Sequence, residues 1–220
     1  QQMLTPAGQL LTLQEAARRV QVGLTAWSGL ADKPELLSET LALIDECKSC
    51  MIEPETLFRA SEESALDEDA ALSAKLCDLA QILTQYDSLC GETLPDPRDR
   101  LTHLRDGLAE SHVLDGAEVY LDGFLSYTPQ ELAIIEVMLS SGVPLTAAVT
   151  CDVELPDVFV TGCRTLRTLT RMAERCSRRP ELVDLGAGKM PRPAGLAAVA
   201  NEALLPVRQA HEDASGVRLY

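Results

Sequence analysis

Two aspartates, Asp122 and Asp152, follow short β-prone runs at residues 117–121 and 144–149. In a parallel α/β sheet, ligands bind beyond the carboxyl ends of the strands. In nucleotide-hydrolysing cores of the P-loop type, a strand-end Asp holds Mg²⁺ through water and an adjacent Glu activates the attacking water. Here Gly123 follows Asp122, so a metal contact stays possible while the water-activating group is missing. The alternative is that Asp122 and Gly123 only form the tight turn that leaves the strand.

A phosphate-binding loop would have to accompany such a site. The nearest string is GAGKM at residues 186–190, which resembles the end of the G-x-x-x-x-G-K-[ST] motif. Val183 stands where the first glycine belongs, and Met190 replaces the hydroxyl residue that contacts Mg²⁺. Pro191 and Pro193 follow where the phosphate-binding helix would begin, so the sequence predicts an ordinary loop here.

A row of arginines is the second pattern with chemical potential. Five of them recur at i, i+3, i+7, i+11 and i+14: Arg164, Arg167, Arg171, Arg175 and Arg178. This spacing predicts one basic face on a helix, which could contact the phosphates of a nucleic-acid backbone. The alternative is that the basic face offsets the charge of an acidic helical region by packing against it.

The overall charge is acidic, with 19 Lys and Arg against 34 Asp and Glu, a net charge of −15. This argues against a protein that coats nucleic acid by bulk charge, but it allows a local basic face. No apolar run approaches the roughly 20 residues that span a bilayer, and no signal peptide is visible, so no membrane partner is expected. Because the first residue is Gln, we expect an internal piece of a longer protein.

The seven cysteines are an odd, scattered set, which fits a reducing compartment such as the cytoplasm. Cys47 and Cys50 have C-x-x-C spacing, but they fall at the end of a predicted helix without further ligands. We therefore predict core or helix-end roles for them rather than a metal or redox site. The three histidines, His103, His112 and His211, lie far apart and suggest no triad or metal centre.

The elements that position these residues change in character near residue 113. Residues 1–113 are predicted to be a helical subdomain, since apolar residues recur there at helical spacing. The first predicted helix spans 12–27 and begins with a Thr12/Glu15 capping box. A second follows Pro34 and has an apolar stripe of Leu36, Leu37, Leu41, Ile44 and Met51, and a third, long helix has a stripe of Leu72, Leu76, Leu79, Leu83 and Tyr86. A fourth helix is predicted at 99–110. The acidic run 61–69 is predicted to be a solvated connection.

Residues 114–220 are predicted to be a partial α/β domain. Strands are expected at 117–121, 144–149 and 182–185, with crossover helices opening at Thr128 and spanning about 157–177. Strands that alternate with crossovers of this length form a right-handed βαβαβ unit and a parallel sheet. The expected fold class is therefore α/β with a large all-helical part and an incomplete sheet.

The string YLDGFLSYTPQE at residues 120–131 resembles the IDGF..FTPQE segment of the AddB family. AddB proteins are the B subunits of bacterial ATP-dependent helicase/nucleases that process double-strand breaks. The resemblance continues from Leu145 to Asp152 and extends more weakly to residues 75–86 and 99–108, covering roughly two thirds of the chain.

In that family the segment takes the place of motif II of a superfamily 1 helicase. Asp122, Phe124 and Gln130 match the motif of working motors, whereas Gly123 stands where Glu would be. Asp152 resembles the aspartate of motif III. The resemblance implies a P-loop helicase-like core that has lost its motor chemistry, with residues 1–113 comparable to subdomain 1B and the α/β part to subdomain 1A.

The resemblance also implies a role in double-strand break repair and recombination. The chain would guide single-stranded DNA and pair with an AddA-like motor/nuclease subunit. For full-length family members only, the resemblance implies ATP with Mg²⁺, an iron–sulfur cluster and an ATP-dependent deoxyribonuclease (exonuclease) activity. No catalytic residue, metal or cofactor is assigned to this segment. Two alternatives stay open. The first is an acidic helical protein-interaction module with no DNA contact. The second is a nucleotide hydrolase that uses Asp122 and Asp152, although Gly123 and the missing phosphate loop argue against it.

Overall fold

The computed structural model describes residues 2–153, 155–185 and 193–202, without the side chains of residues 200 and 201. The α-helices are α1 (Pro6–Val20), α2 (Pro34–Ser49), α3 (Pro54–Leu66), α4 (Ala70–Glu92), α5 (Arg100–Glu110), α6 (Pro129–Ser141), α7 (Val160–Arg175) and α8 (Ala194–Glu202). The strands are β1 (Val119–Leu121) and β2 (Leu145–Ala147), and 3₁₀ turns cover Gln21–Gly23, Leu30–Asp32 and Pro97–Asp99. Among these helices, none has the length and apolar character needed to cross a membrane.

The chain folds as two compact units, Gln1–Ala148 and Val149–Tyr220. The first unit contains α1 to α6 and both strands, and the second contains α7 and α8. Within the first unit, helices alone give way to alternating strands and helices after α5. The division at residue 113 into helicase-type subdomains stays a prediction.

The start of the first helix differs from the predicted one. α1 begins at Pro6, and the Thr5 hydroxyl caps it by accepting a hydrogen bond from the Gly8 N–H at 3.1 Å. Proline at the first position suits a helix start because its missing N–H would be unpaired there anyway. The predicted cap at Thr12 is therefore wrong: Thr12 lies inside α1, and the real signal is the earlier Thr-Pro pair.

The acidic run 61–69 is the clearest error in the helical part. The sequence predicts a solvated connection there, but α3 continues through the run to Leu66. Only residues 67–69 connect α3 to α4, and Glu68 takes the left-handed conformation (φ 63°) that closes the helix. The Ser61 hydroxyl is buried and donates to the Ser73 carbonyl of α4 at 2.9 Å. Because acidic residues dominate this run, the sequence pattern does not reveal the narrow buried face of α3 that packs on α4.

The hydrophobic core of the first unit lies among α1, α2, α3 and α4. Its most deeply buried large side chains are Leu13, Leu30, Ile44, Ile82, Leu83 and Tyr86. The predicted apolar stripes of α2 and α4 supply many of these residues and are confirmed. Two residues are exceptions. Met51 follows the end of α2 at Ser49 with a left-handed backbone (φ 56°), and Leu72 near the start of α4 is 44% exposed.

The sheet has two parallel strands in the described part of the chain. Val119 pairs with Leu145 and Leu121 with Ala147, and α6 forms the crossover between the strands. The predicted start of α6 is confirmed, since Thr128 and Glu131 form a complete capping box. The first predicted βαβ unit is therefore present.

The predicted third strand is wrong. Residues 182–185 form no strand, and Leu182, Val183 and Leu185 are 67%, 67% and 78% exposed. β-prone side chains become a strand only when a neighbouring backbone accepts their hydrogen bonds and another layer covers their apolar face. The described fold is thus mostly helical with a small parallel sheet, and the P-loop helicase core stays a prediction.

In the second unit, α7 is shorter than the predicted 157–177 span. It ends at Arg175, and Ser177 takes a left-handed conformation (φ 57°) directly afterwards. The Ser177 N–H donates to the Glu174 carbonyl and the Arg178 N–H donates to the Ala173 carbonyl, which closes the helix end. The sequence pattern does not predict the α8 helix.

Candidate functional site

The loop after β1 contains the first predicted site residue. The Asp122 side chain is exposed, and its Oδ1 accepts a hydrogen bond from the Gly123 N–H at 2.8 Å. Gly123 has φ +80°, a backbone conformation that glycine adopts without strain. The structure therefore shows the tight turn that was one of the two interpretations of this pair.

The same loop places aromatic side chains at the surface. The rings of Phe124 and Tyr127 stack with centroids 5.0 Å apart. Phe124 is 41% exposed, Leu125 63% and Tyr120 70%. We call Tyr120 in β1 and Phe124, Leu125 and Tyr127 in the loop that follows it the aromatic loop. Sequence reasoning found no aromatic platform, because the few aromatic residues are adjacent only once this loop has folded.

Gln130, the third matching residue of the motif II-like segment, points into the helical region. It is buried, and its Nε2 donates to the Arg98 carbonyl at 3.2 Å and to the Thr102 hydroxyl at 3.1 Å. Its amide nitrogen thereby joins α6 to the start of α5. Asp122 bonds within its own turn instead, so these two matching residues make different kinds of contact.

Asp152 lies in the second compact unit. Its carbonyl oxygen accepts hydrogen bonds from the Cys163 thiol at 3.4 Å and from the Leu155 N–H at 3.3 Å. The residue is half-buried in the segment that precedes α7. The role of Asp152 in a motif III-like site stays a prediction.

The predicted basic face is present along α7. Arg164, Arg167, Arg171 and Arg175 are exposed, whereas the opposite face of α7 is buried through Gly162, Cys163, Thr165, Met172 and Ala173. We call these four arginines the arginine face. Arg178 was predicted on the same helical face, but it follows the left-handed Ser177 and lies beyond the helix.

A buried ionic cluster surrounds Lys48, and the sequence analysis did not predict it. The Lys48 side chain is only 8% exposed, and its Nζ lies 2.8 Å from Asp87 Oδ1, 2.7 Å from Asp99 Oδ2 and 3.4 Å from Asp96 Oδ2. The ammonium also lies 5.5 Å from the centre of the Tyr86 ring. Burial by itself would lower the pKa of Lys48, but the Asp87 and Asp99 carboxylates outweigh it and raise this pKa.

Asp96 is the most deeply buried carboxylate of this cluster. It accepts hydrogen bonds from the Gln9 amide at 2.8 Å, the Tyr86 hydroxyl at 3.0 Å and the Arg98 N–H at 3.0 Å. Burial would raise its pKa, but the Arg98 N–H, the Lys48 charge and the other donors together lower the pKa of Asp96. Burial and the Asp96 charge raise the pKa of Tyr86.

A cleft of about 530 Å³ opens beside this cluster and is lined by Lys48, Asp87, Asp99, His103 and Gln130 among others. Because Lys48 already contacts three carboxylates, the cluster's main effect is to link α2, α4 and the start of α5. One sequence signal could have revealed it. Lys48 continues the α2 stripe of Leu37, Leu41 and Ile44 at i+11, a position where a cation is buried and needs acidic partners.

Possible metal ligands do not cluster in the described part of the chain. Among those residues, no group of three or more His, Cys, Asp or Glu could hold a metal ion, so no step is derived through Mg²⁺ or an iron–sulfur cluster. Cys47 is buried in the core and Cys50 caps the end of α2, which confirms their predicted roles. His103 and His112 are exposed; His211 and the 186–190 string lie outside the described residues.

Comparison with known proteins gives one consistent family. The sequence matches the family described as "ADDB, N-terminal" over residues 1–189. Relatives named as the B subunit of an ATP-dependent helicase/deoxyribonuclease include those of Symbiobacterium thermophilum (33% identical, 63% of this chain and 12% of the relative), Acetivibrio thermocellus (30%, 76% and 15%) and Moorella thermoacetica (30%, 93% and 19%). The chain thus spans less than a fifth of the length of these relatives.

Proposed function

We propose a function from the premise that this chain belongs to the AddB N-terminal family. It works within the AddB-type polypeptide of a helicase/deoxyribonuclease, in double-strand break repair and recombination. There it is a scaffold without motor activity that guides single-stranded DNA and pairs with an AddA-like motor/nuclease subunit. The single observation that carries the DNA-guiding part is the exposed arginine face of α7.

The geometry at Gly123 supports the loss of motor activity. Working motors carry Glu at this position of motif II, where it activates water. Here the backbone has φ +80°, which a Glu side chain would adopt only with strain. In addition, the Gln130 amide nitrogen is engaged by Arg98 and Thr102 of the helical region. Both features favour a turn and a helix contact over a nucleotide-hydrolysing centre.

An ATPase assay tests this loss. We expect the purified chain to release no phosphate from ATP and Mg²⁺ above a boiled control, with or without single-stranded DNA. Asp122→Ala provides the matched variant: phosphate release that this substitution abolishes would overturn the proposal and favour the nucleotide hydrolase.

The arginine face supplies the chemistry for DNA guiding. Arginines contact phosphate oxygens, and each contact releases counterions, so affinity falls as salt rises. The acidic net charge of −15 does not oppose this, because exposed charges farther apart than about 8–10 Å are largely screened at physiological salt. Four cations lie along this face, Arg164, Arg167, Arg171 and Arg175, with one exposed acid, Glu174, beside them.

Fluorescence anisotropy with a labelled single-stranded oligonucleotide tests this contact. Removing two arginines by Arg167→Ala with Arg171→Ala should weaken binding and reduce the slope of log K against log salt by about 1.4, at roughly 0.7 per phosphate. The matched control is Arg18→Ala with Arg19→Ala, which removes the same charge from the exposed end of α1. An equal loss in both variants would mean that only net charge matters, and an unchanged slope would remove the DNA role.

The protein-interaction alternative is supported by the aromatic loop. Tyr120, Phe124 and Leu125 expose 41–70% of their surface, and such side chains are typical of contact residues in protein interfaces. A binding assay with a purified AddA-like protein tests pairing. Phe124→Ser with Leu125→Ser should weaken that binding at least tenfold and leave DNA binding unchanged. If no DNA binding is seen but this loss is, the interaction module is the better description.

A further inference from the structure

We propose that Cys151 and Cys163 form a thiol–disulfide site in the second compact unit, which a low-molecular-weight disulfide oxidises reversibly. This inference concerns residues that the proposed function does not use. It rests on the contact between the two side chains and on the close approach of the two backbone segments that carry them.

The two thiols are already neighbours. The Cys163 thiol lies close enough to Cys151 to contribute to the raised pKa of the Cys151 thiol. The Cys163 sulfur also lies 3.4 Å from the carbonyl oxygen of Asp152, the residue that follows Cys151. Twelve positions separate the cysteines in sequence, so this contact comes from the folding of the segment before α7 against its first turn.

The two backbone segments that carry the cysteines pack closely against each other. A Cβ built on Gly162, the neighbour of Cys163, would lie 3.1 Å from the Cys151 Cβ and would collide with the Thr150 carbonyl oxygen. Gly162 therefore lets the first turn of α7 lie directly on residues 150 and 151. Disulfides need Cα atoms within about 7 Å and Cβ atoms about 3.5–4.5 Å apart. The close approach of Gly162 to Cys151 places Cys163, the next residue, in the turn that packs on the Cys151 segment.

The two cysteines differ in access. Cys151 is half-buried and Cys163 is 7% exposed, so Cys151 is the sulfur that meets an external reagent. Partial burial and the neighbouring Cys163 thiol raise the pKa of Cys151. Since the thiolate is the nucleophile, the reaction is slow at neutral pH and faster in mild alkali.

The exchange balances with oxidised glutathione as the oxidant. The Cys151 thiolate attacks one glutathione sulfur, breaks the glutathione disulfide and releases one glutathione thiolate. The Cys163 thiolate then attacks the Cys151 sulfur of the mixed disulfide and releases the second. The two cysteines lose two electrons and two protons, and the glutathione disulfide becomes two thiols.

The bond would fix the first turn of α7 to the segment before it. That turn precedes Arg164, the first residue of the arginine face. Oxidation should therefore stabilise this region without using any of its charges. Cys47 and Cys50 are the competing pair, since they also lie near each other at the end of α2.

The test incubates the full chain with oxidised glutathione at pH 8.5, blocks free thiols by alkylation and digests with a Glu-specific protease. Glu136, Glu154 and Glu174 bound the peptides 137–154 and 155–174, so each peptide holds one of the two cysteines. We expect these two peptides to be linked and dithiothreitol to separate them again. Cys50→Ser is the matched control and should keep the link, whereas Cys151→Ser should lose it.

A second measurement tests the bond in the wild-type chain without relying on the peptide map. The oxidised wild-type chain should melt at least about 3 °C higher than the reduced chain, because a cross-link restricts the unfolded state. Cys151→Ser should show no such shift. Both peptides recovered fully alkylated, or a mixed glutathione disulfide that stays on Cys151, would overturn the proposal.

Discussion

The Lys48 cluster and the arginine face of α7 hold their charges in opposite ways. Lys48 is buried and touches three carboxylates, Asp87, Asp96 and Asp99. The arginines of α7 are exposed and share one sign. The difference shows that charge placement, not charge count, separates the residues that hold this fold together from those available to a partner.

The physical reason is solvation. A buried ammonium is stable only when nearby carboxylates replace its lost hydration, so removing one partner leaves an uncompensated charge. An exposed guanidinium keeps most of its water, so its stability does not depend on a buried counter-ion; the Arg167 Nε, for example, donates to the Cys163 carbonyl of its own helix at 3.1 Å. We therefore expect substitutions in the buried cluster to cost far more stability than substitutions on the arginine face.

Lys48→Met should lower the free energy of unfolding by about 3–5 kcal/mol, because the fully buried Asp96 loses its cation and the neighbouring Asp87 and Asp99 carboxylates are left to repel it. Urea unfolding followed by circular dichroism measures this. Lys75→Met on the exposed face of α4 is the matched control and should change stability by less than about 0.5 kcal/mol. Equal effects of the two substitutions would abolish the distinction between buried and exposed charges.

Gln130→Leu should cost about 2 kcal/mol, since the Arg98 carbonyl and the Thr102 hydroxyl lose a donor in a partly buried contact. The same unfolding experiment measures it. Gln130→Glu keeps the size but replaces the donor by an acceptor and should cost at least as much. If Gln130→Leu leaves stability unchanged, the contact between α6 and α5 is not what Gln130 contributes.

Alkaline pH should weaken the Lys48 cluster. The folded-state pKa values of Lys48 and Tyr86 lie above their ordinary values of 10.5 and 10.0, and burial raises that of Cys90 from 9.0 to about 11. A raised folded-state pKa gives stability that is complete below the unfolded pKa and is lost as pH rises. The free energy of unfolding should therefore fall above pH 9, by up to about 1.4 kcal/mol per pH unit for each group.

Tyr86→Phe tests the share of one group in this alkaline loss. The variant should lack the part of the decline that begins near pH 10, although it also loses the hydrogen bond to Asp96 and about 1 kcal/mol at pH 7. Urea unfolding at several pH values between 8 and 11 distinguishes the two effects. A decline identical to that of the wild type would assign the alkaline loss to other groups.

Arg167→Ala with Arg171→Ala should change the free energy of unfolding by less than about 0.5 kcal/mol, because exposed charges contribute little to stability. Thermal and urea unfolding measure it on the same preparation used for DNA binding. A drop in melting temperature of several degrees would support the alternative in which the basic face packs internally.

The sequence predicted the elements whose signals are local. The α4 stripe from Leu76 to Tyr86, the Thr128 capping box and the first βαβ unit depend on neighbours within a few residues, and the structure confirms them. The helix ends at Met51, Glu68 and Ser177 were not predictable in the same way. Each uses a left-handed residue that is not glycine, so the usual stop signal is missing.

The candidate site was predictable only in part. The arginine spacing located the basic face, but Arg178 was lost from it because the helix ends three residues earlier. The third strand failed because a strand depends on a distant backbone that sequence does not reveal. The aromatic loop and the Cys151–Cys163 contact were missed for the same reason, since both depend on how a loop folds back.

By itself, the sequence determined the family, through the match over residues 1–189 that includes the segment 120–131, and the helical periodicity of the first part. Tertiary structure alone decided which charges meet. Lys48 and Asp99 are 51 positions apart, and Gln9 and Asp96 are 87 apart. Side chains so distant in sequence come within 3 Å only after the helices have packed, because helical packing brings the faces that carry them together.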